Sequence, residues 1–408
     1  MNNSKIIAYS LLAFCLAFIG LPIYIYLPSY YADNFALSLE SIAFIILFTR
    51  LFDAFSDPLI GFLSDKFIKF RQKLICYIAP LLGLSFLLLF HPLGFLTIES
   101  WLAIFMILTY SLFSIIYINY QAYAVNLTDD YHIRTKIISF REVAFIIGII
   151  VASLAPTIFN LFYSEIESFL IIGVSYFIVI SVCAIVFYKN APINKSRAKQ
   201  NLSLKPILVS KKLKRFLLVF LFNSIAASIP AVIIMFFVDY VLASKDLVGL
   251  FLMIYFVGLL IGVVIWTKIS AILNDKIKTF LISMSLTALI FTGCFFLSEG
   301  DTILYAIICI FAGIGFGGDL CLGYSILTDI IWEEGLKQNE SAIFGITNFI
   351  LKMSLAVSSS VLIYGIGFLA DNVQTVTVFI AFSYAVLPIV FRIFAIISLY
   401  NFFKPSKA

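Results

Sequence analysis

Charged residues are scarce in this chain. They make up 12% of its 408 residues, against roughly a quarter in a soluble domain. That scarcity excludes a water-soluble globule and a disordered chain. Nucleic acid is not an expected partner, because the net charge of +5 comes from basic residues confined to particular loops. Histidine is rarer still: His91 and His132 stand far apart and not at ligand spacing. The six cysteines, Cys15, Cys76, Cys183, Cys294, Cys309 and Cys321, all lie in apolar runs and form no CxxC pair. They read as small apolar packing residues, with no disulfide framework and no structural metal. A membrane-embedded enzyme would need a His/Asp or Ser/His pair or a metal cluster, and none is evident. No cofactor is expected.

Apolar residues account for 62% of the sequence, and the mean hydropathy is +1.10. They fall into twelve runs, at 6–31, 41–64, 74–95, 100–125, 142–163, 166–188, 216–242, 247–273, 278–298, 302–330, 342–370 and 376–403. Each can cross about 30 Å of hydrocarbon at ~1.5 Å per residue. The runs do not alternate apolar with polar residues, as barrel strands would. The first is longer than a signal h-region and no small-residue cleavage site follows it, so it is expected to remain as the first span. The sequence predicts an all-α membrane protein of twelve transmembrane helices.

The longest polar stretch, Lys189 to Arg215, divides the chain into two six-helix halves, 1–188 and 216–408, with a linker at 189–215. Two sets of six suggest structural repeats and alternating access. Loop charges are asymmetric. One side carries Lys5, then Lys66, Lys69, Arg71 and Lys73, then Arg134 and Lys136, the linker, Lys276, Lys278, Lys337, Lys404 and Lys407. The other side carries Asp33, Glu40, Glu99, Glu165, Glu167, Glu299, Asp301 and Asp371, with Lys245 its only cation. The positive-inside rule makes both termini cytoplasmic. The linker reads as a solvated loop near anionic lipid.

An ionisable group near mid-bilayer costs about 2.5–3.5 kcal/mol on insertion scales, so each is a functional candidate. The second span has Arg50, Asp53 and Asp57 in TRLFDAFSDPLIG. Asp53 and Asp57 stand at i and i+4, on one helical face. Counting back from Asp65, Asp57 lies about 12 Å and Asp53 about 18 Å deep. Pro58 removes the hydrogen bond to the Ala54 carbonyl. Two carboxylates and a spare carbonyl are hard oxygen ligands suited to Na⁺, Li⁺ or H⁺. An internal ion pair with Arg50 accounts for only one of the acids. Lys352, in TNFILKMSL with Asn348 one turn before it, sits at about the depth of Asp53; it reads as a counter-charge or as a cavity-lining group. In the fourth span Tyr110, Ser114, Tyr117 and Gln121 form one polar-aromatic stripe, either interhelical hydrogen bonding or a cavity wall. The seventh span offers Asn223, Ser224, Ser228 and Pro230. The tenth carries FAGIGFGGDL, whose glycines permit close packing or a bend, with Asp319 and Asp329 as further acids.

RLFDAFSDPLIGFLSDK resembles the second helix of the glycoside–pentoside–hexuronide:cation symporters, the melibiose-permease-like branch of the major facilitator superfamily. YYAD at Tyr30–Asp33, NLTDDYHIRTKIISFRE and TDIIWEEGLKQNESAIFGITNFILK extend the resemblance over nearly the whole chain. Gly61, Asp65 and Lys66 resemble the general facilitator motif. The resemblance implies the major facilitator fold and a cation site of Asp53 and Asp57, to which Ser56 and Ser114 contribute. It implies a coupling role for Lys352 and a sugar-side role for Arg141. Two acids that hold sugar hydroxyls in the melibiose permease are replaced by Ala17 and Tyr117, and Gln121 stands for a stacking tryptophan.

The reading that results is a monomeric, multi-pass transporter of the inner membrane, in contact with membrane lipid. Na⁺ or H⁺ would couple symport of a small solute, with a sugar, glycoside or uronate leading. Solute contacts fall at Tyr117, Gln121, Arg141, Asn223 and Lys352, and the Arg50 charge is expected to be taken up by the acids of its own helix. Arg141 and Lys352 would favour an anionic solute. A lipid or amphiphile is the alternative cargo, since a branch with similar second-helix motifs carries lysolipids.

Overall fold

The computed structural model describes residues 3–20, 22–128, 130–191, 205–369 and 372–403. Lys195, Arg197 and Lys199 of the expected linker lie outside the described residues, as do Asp371, Lys404 and Lys407. The described residues contain helix and no strand. Among the described residues, eleven helical stretches are long and apolar enough to cross a membrane. A further one, Leu39–Ser64, has 26 residues and so spans the same thickness; it differs in bearing Arg50, Asp53 and Asp57 at its centre.

The helices are α1 (Asn3–Phe18), α2 (Leu27–Phe35), α3 (Leu39–Ser64), α4 (Arg71–Leu89), α5 (Ile98–Val125), α6 (Tyr131–Phe159) and α7 (Glu165–Asn190). They continue with α8 (Lys205–Val209), α9 (Lys211–Tyr240), α10 (Val248–Leu273), α11 (Lys276–Thr292), α12 (Thr302–Gly318), α13 (Tyr324–Glu333), α14 (Glu340–Phe368) and α15 (Val373–Phe403). Two predicted spans are broken. A π-helical turn, Pro22–Tyr26, separates α1 from α2, and a second, Asp319–Gly323, separates α12 from α13. The expected seventh span begins early, because Ser210 caps α9 by accepting from Leu213 N and the lysines after it are good helix formers. The polar stretch therefore ends in helix. Local caps fix other starts: Asp130 for α6, Asp275 for α11, and a Ser164–Glu167 capping box for α7.

The chain divides into two compact units, Met1–Ser203 with Gly335–Ile346, and Leu204–Glu334 with Thr347–Ala408. In the first unit α3 packs on α5, α4 on α5 and α7, and α1 on α7. In the second α10 packs on α12, α11 on α12 and α15, and α9 on α15. Within each set of six spans, the second meets the fourth, the third meets the fourth and sixth, and the first meets the sixth. This recurrence is the internal repeat.

The α10–α12 contact is made by glycine. A Cβ added at Gly258 would lie 2.3 Å from the Ile310 carbonyl oxygen, and one at Gly262 would lie 2.3 Å from that of Ile314. From the other side, a Cβ at Gly313 would meet the Tyr255 carbonyl at 2.3 Å. The backbones touch, as small-residue interfaces in membranes allow. Of the two uses the sequence leaves open for FAGIGFGGDL, the structure shows both: close packing at Gly313 and Gly317, then a π-helical turn from Asp319.

Candidate functional site

The face of α3 that carries Thr49, Asp53 and Asp57 is buried, and Asp57 is 0% exposed. The opposite face, with Phe44, Phe48, Phe55 and Leu59, is exposed and apolar. The α3 sequence thus separates an oxygen-rich stripe from a greasy one at helical spacing. The Ser114 hydroxyl on α5 donates to Asp53 Oδ1 at 2.9 Å. Ser56 donates to the Asp53 carbonyl at 3.0 Å, one turn back on its own helix. Gly345 lies where a Cβ would be 2.4 Å from the Asp57 carbonyl oxygen, so only glycine permits that approach beside Pro58. Asp53, Ser114 and Ser56 are therefore brought together, with Asp57 one turn along the same buried face.

The remaining expected residues divide. Arg50 lies with its guanidinium 4.4 Å from the centroid of the Tyr24 ring, and it also reaches Tyr110. Its side chain thus meets Tyr24 of the π-helical turn and Tyr110 of α5. Arg141 on α6 is buried and bonded to the adjacent Glu142, Nε to Oε1 at 2.8 Å. Glu142 thus matches the Arg141 charge. Arg141 also lies beside Tyr9 and Tyr120, whose rings stack at 4.5 Å. Tyr117 stacks on Phe113 at 5.3 Å, and Gln121 is fully buried. The α5 stripe contributes an interhelical hydrogen bond at Ser114 and aromatic packing at Tyr117.

At the end of α3 lies a buried polar network. Asp65 accepts from the Ser341 and Ala342 backbone N–H groups at 2.9 and 3.0 Å, capping α14. Arg71 bonds Glu340, donates to Ser341 Oγ at 2.7 Å, and reaches Asn119 at 3.2 Å. Burial pushes the Asp65 carboxyl up to about 6, against the pull of Arg71 and the two backbone donors. This network explains why Gly335–Ile346 belongs to the first unit.

In the second unit Arg392 on α15 donates from Nη1 to Asp319 Oδ2 at 2.6 Å and also to Asn223 Oδ1. Asn223, expected at the solute, is thus engaged by an arginine 169 residues away. Lys276 bonds Asp329 at 2.5 Å. Ser228 meets Ser358 at 2.7 Å. Lys352 is half-buried and Asn348 is buried on α14. Arg392 and Glu142 are absent from the sequence reading. An arginine inside the last span, in VFRIF, meets the same intramembrane-charge criterion that singles out Asp53.

A sequence profile describing MFS/sugar transport proteins matches residues 8–404. The chain belongs to the MFS/sugar transport protein family. It is a multi-pass membrane transporter of the major facilitator fold, in keeping with the resemblance carried by the second span. It is 23% identical over 387 residues to the uncharacterized symporter YjmB of Bacillus subtilis (strain 168), covering 86% of this chain and 81% of that one. Among solved structures, a bacterial homologue of the iron transporter ferroportin in an outward-facing state superposes with a TM-score of 0.74 at 12% identity, over 98% of this chain and 99% of that one. A variant of the E. coli fucose:proton symporter FucP superposes with a TM-score of 0.70 at 10% identity, over 96% and 98%. At such identities these structures establish the fold.

Proposed function

We propose that this family member is a cation-coupled symporter of a sugar or glycoside, with Asp53 and Asp57 as ligands of the coupling Na⁺ or H⁺ and Ser56 and Ser114 beside them. The observation that carries the reading is the Ser114–Asp53 bond on the buried acidic face of α3. A hydroxyl that donates to a carboxylate orients it and leaves lone pairs for an incoming ion. Binding the ion would lower the charge of this face and shift the population between the states of an alternating-access cycle. A symporter relative and a sugar:proton symporter of the same fold support the class. Tyr117 and Gln121 remain the proposed solute contacts of the first unit, and Lys352 of the second.

The test is solute accumulation in proteoliposomes under an imposed Na⁺ or H⁺ gradient. Asp53→Asn and Asp57→Asn should each reduce accumulation at least ~100-fold, since each removes a charge and a ligand together, while exchange without a gradient persists. Wild-type accumulation by both variants would sink the ion-site assignment. We also propose an inner-membrane location with cytoplasmic termini. A cysteine at Lys205 should resist impermeant labelling from outside intact cells, and efficient labelling would reverse the orientation.

A further inference from the structure

Two cysteines of the first unit are paired. Cys15 on α1 and Cys183 on α7 are 1% and 9% exposed and belong to one buried apolar cluster. Ring contacts on either side set them level. Tyr9 of α1 lies 6.2 Å from Phe187 of α7, and Phe18 stacks on Tyr176 at 5.4 Å. The two helices therefore run antiparallel, and both cysteines fall between these contacts. Cys15 is about 9 Å along α1 from Tyr9 and Cys183 about 6 Å along α7 from Phe187, at ~1.5 Å per residue. The faces agree as well. Cys15 and Phe18 stand at i and i+3, and Tyr176, Cys183 and Phe187 at i, i+7 and i+11. The two thiols interact directly across this seam, and the Tyr176 hydroxyl lies beside both sulfurs.

The internal repeat does not demand this pair. The matching contact of the second unit, α9 on α15, contains no cysteine, and there Phe237 stacks on Tyr384 at 4.1 Å. Cys294 and Cys309 of the second unit also lie near each other, but Cys309 interacts with the Tyr305 hydroxyl.

The surroundings select the ligand. Buried charge is costly without a partner, and among the described residues none that acts on either thiol is cationic. A neutral product is therefore favoured. Two thiols that each give up a proton and bind one divalent ion yield such a product, whereas a monovalent ion would leave a negative charge. Thiolate sulfur takes soft metals rather than Mg²⁺ or Ca²⁺. Zn²⁺ calls for four ligands, and this pair supplies two. A mercuric ion is soft, divalent and satisfied by two thiolates. We propose that Cys15 and Cys183 form a two-thiolate site for a soft divalent metal ion of the mercuric type, which ties α1 to α7. Two S–H bonds break, two sulfur–metal bonds form and two protons leave to solvent, with no change of oxidation state. Mercuric chloride is uncharged and enters through lipid, meeting Cys183 first, the more exposed thiol.

The test gives the purified full-length protein one equivalent of mercuric chloride, dialyses it against the monothiol β-mercaptoethanol, and counts bound mercury by native mass spectrometry. Two thiolates held side by side bind an ion at least ~100-fold more tightly than one, because the second bond forms within the same molecule. Wild type and Cys294→Ala should keep one mercury through dialysis. Cys15→Ala and Cys183→Ala should each hold it ~100-fold more weakly and release it to the monothiol. If Cys15→Ala folds poorly, Cys183→Ala, at the more exposed thiol, carries the test. Loss of mercury from wild type, or its retention by folded Cys183→Ala, would overturn the site. Release from Cys294→Ala with retention by Cys15→Ala would do the same, since the mercury would then belong to the second unit.

Discussion

Contacts α3–α5 and α10–α12 occupy the same place in their two units, second span against fourth, yet they are built from opposite materials. The first is held by a side-chain bridge, Ser114 to Asp53 at 2.9 Å. The second is backbone on backbone, with glycines admitting carbonyl oxygens where a Cβ would lie 2.3 Å away. A hydroxyl–carboxylate bridge responds to whatever binds the carboxylate. The glycine seam's side-chain bond runs from Trp266 Nε1 to the Ile314 carbonyl at 2.8 Å, a neutral donor on a backbone acceptor. One topology thus yields a seam closed by a hydroxyl–carboxylate bond and a seam closed mainly by backbone contact.

The sharpest way to break that comparison is to thicken the glycine seam. Gly262→Leu should cost about 3 kcal/mol or more, because the backbones must part, and should appear as a large fall in melting temperature and in yield of folded protein. A variant as stable as wild type would show that α10 and α12 are not locked. Ser114→Ala should do the reverse. It removes a hydrogen bond to a carboxylate and should weaken Na⁺ or H⁺ dependence of transport several-fold, with a smaller fall in melting temperature than Gly262→Leu. Lost stability with unchanged ion dependence would make Ser114 a structural bridge only. The smallest effect lies at Asp65. Its folded pKa is raised to about 6 from an ordinary value of about 3.9. Its contribution to stability is therefore full below about pH 4 and is lost as pH rises through about 6. Melting temperatures measured from pH 4.5 to 7 should fall by a few degrees through this group, and Asp65→Asn should flatten that slope.

Helical architecture was legible because each span must satisfy its own backbone within the bilayer, which leaves long apolar runs in the sequence. The shared face of Asp53 and Asp57 follows from helical spacing alone. Ser114 beside Asp53 does not; it came from a family resemblance, since spacing within a helix says nothing about which helix lies opposite. The contact of Arg50 with Tyr24 is not legible, for a local reason. The π-helical turn Pro22–Tyr26 presents Tyr24 to it, and apolar periodicity does not reveal such a turn. Glu142 is not legible as the partner of Arg141, because neighbours on a helix normally point about 100° apart, yet its carboxylate folds back onto Arg141. The Asn223–Arg392 contact spans 169 residues and left no local trace.

The first unit is finished by a segment the ribosome makes late. Arg71 and Asp65 find Glu340, Ser341 and Ala342 only after 269 or more further residues have been added. At ~5–20 residues per second that is a wait of roughly 15–50 s. Through that interval the inserted N-terminal helices carry a polar cluster missing its last partners. Only after it can the buried cluster at the end of α3 be completed.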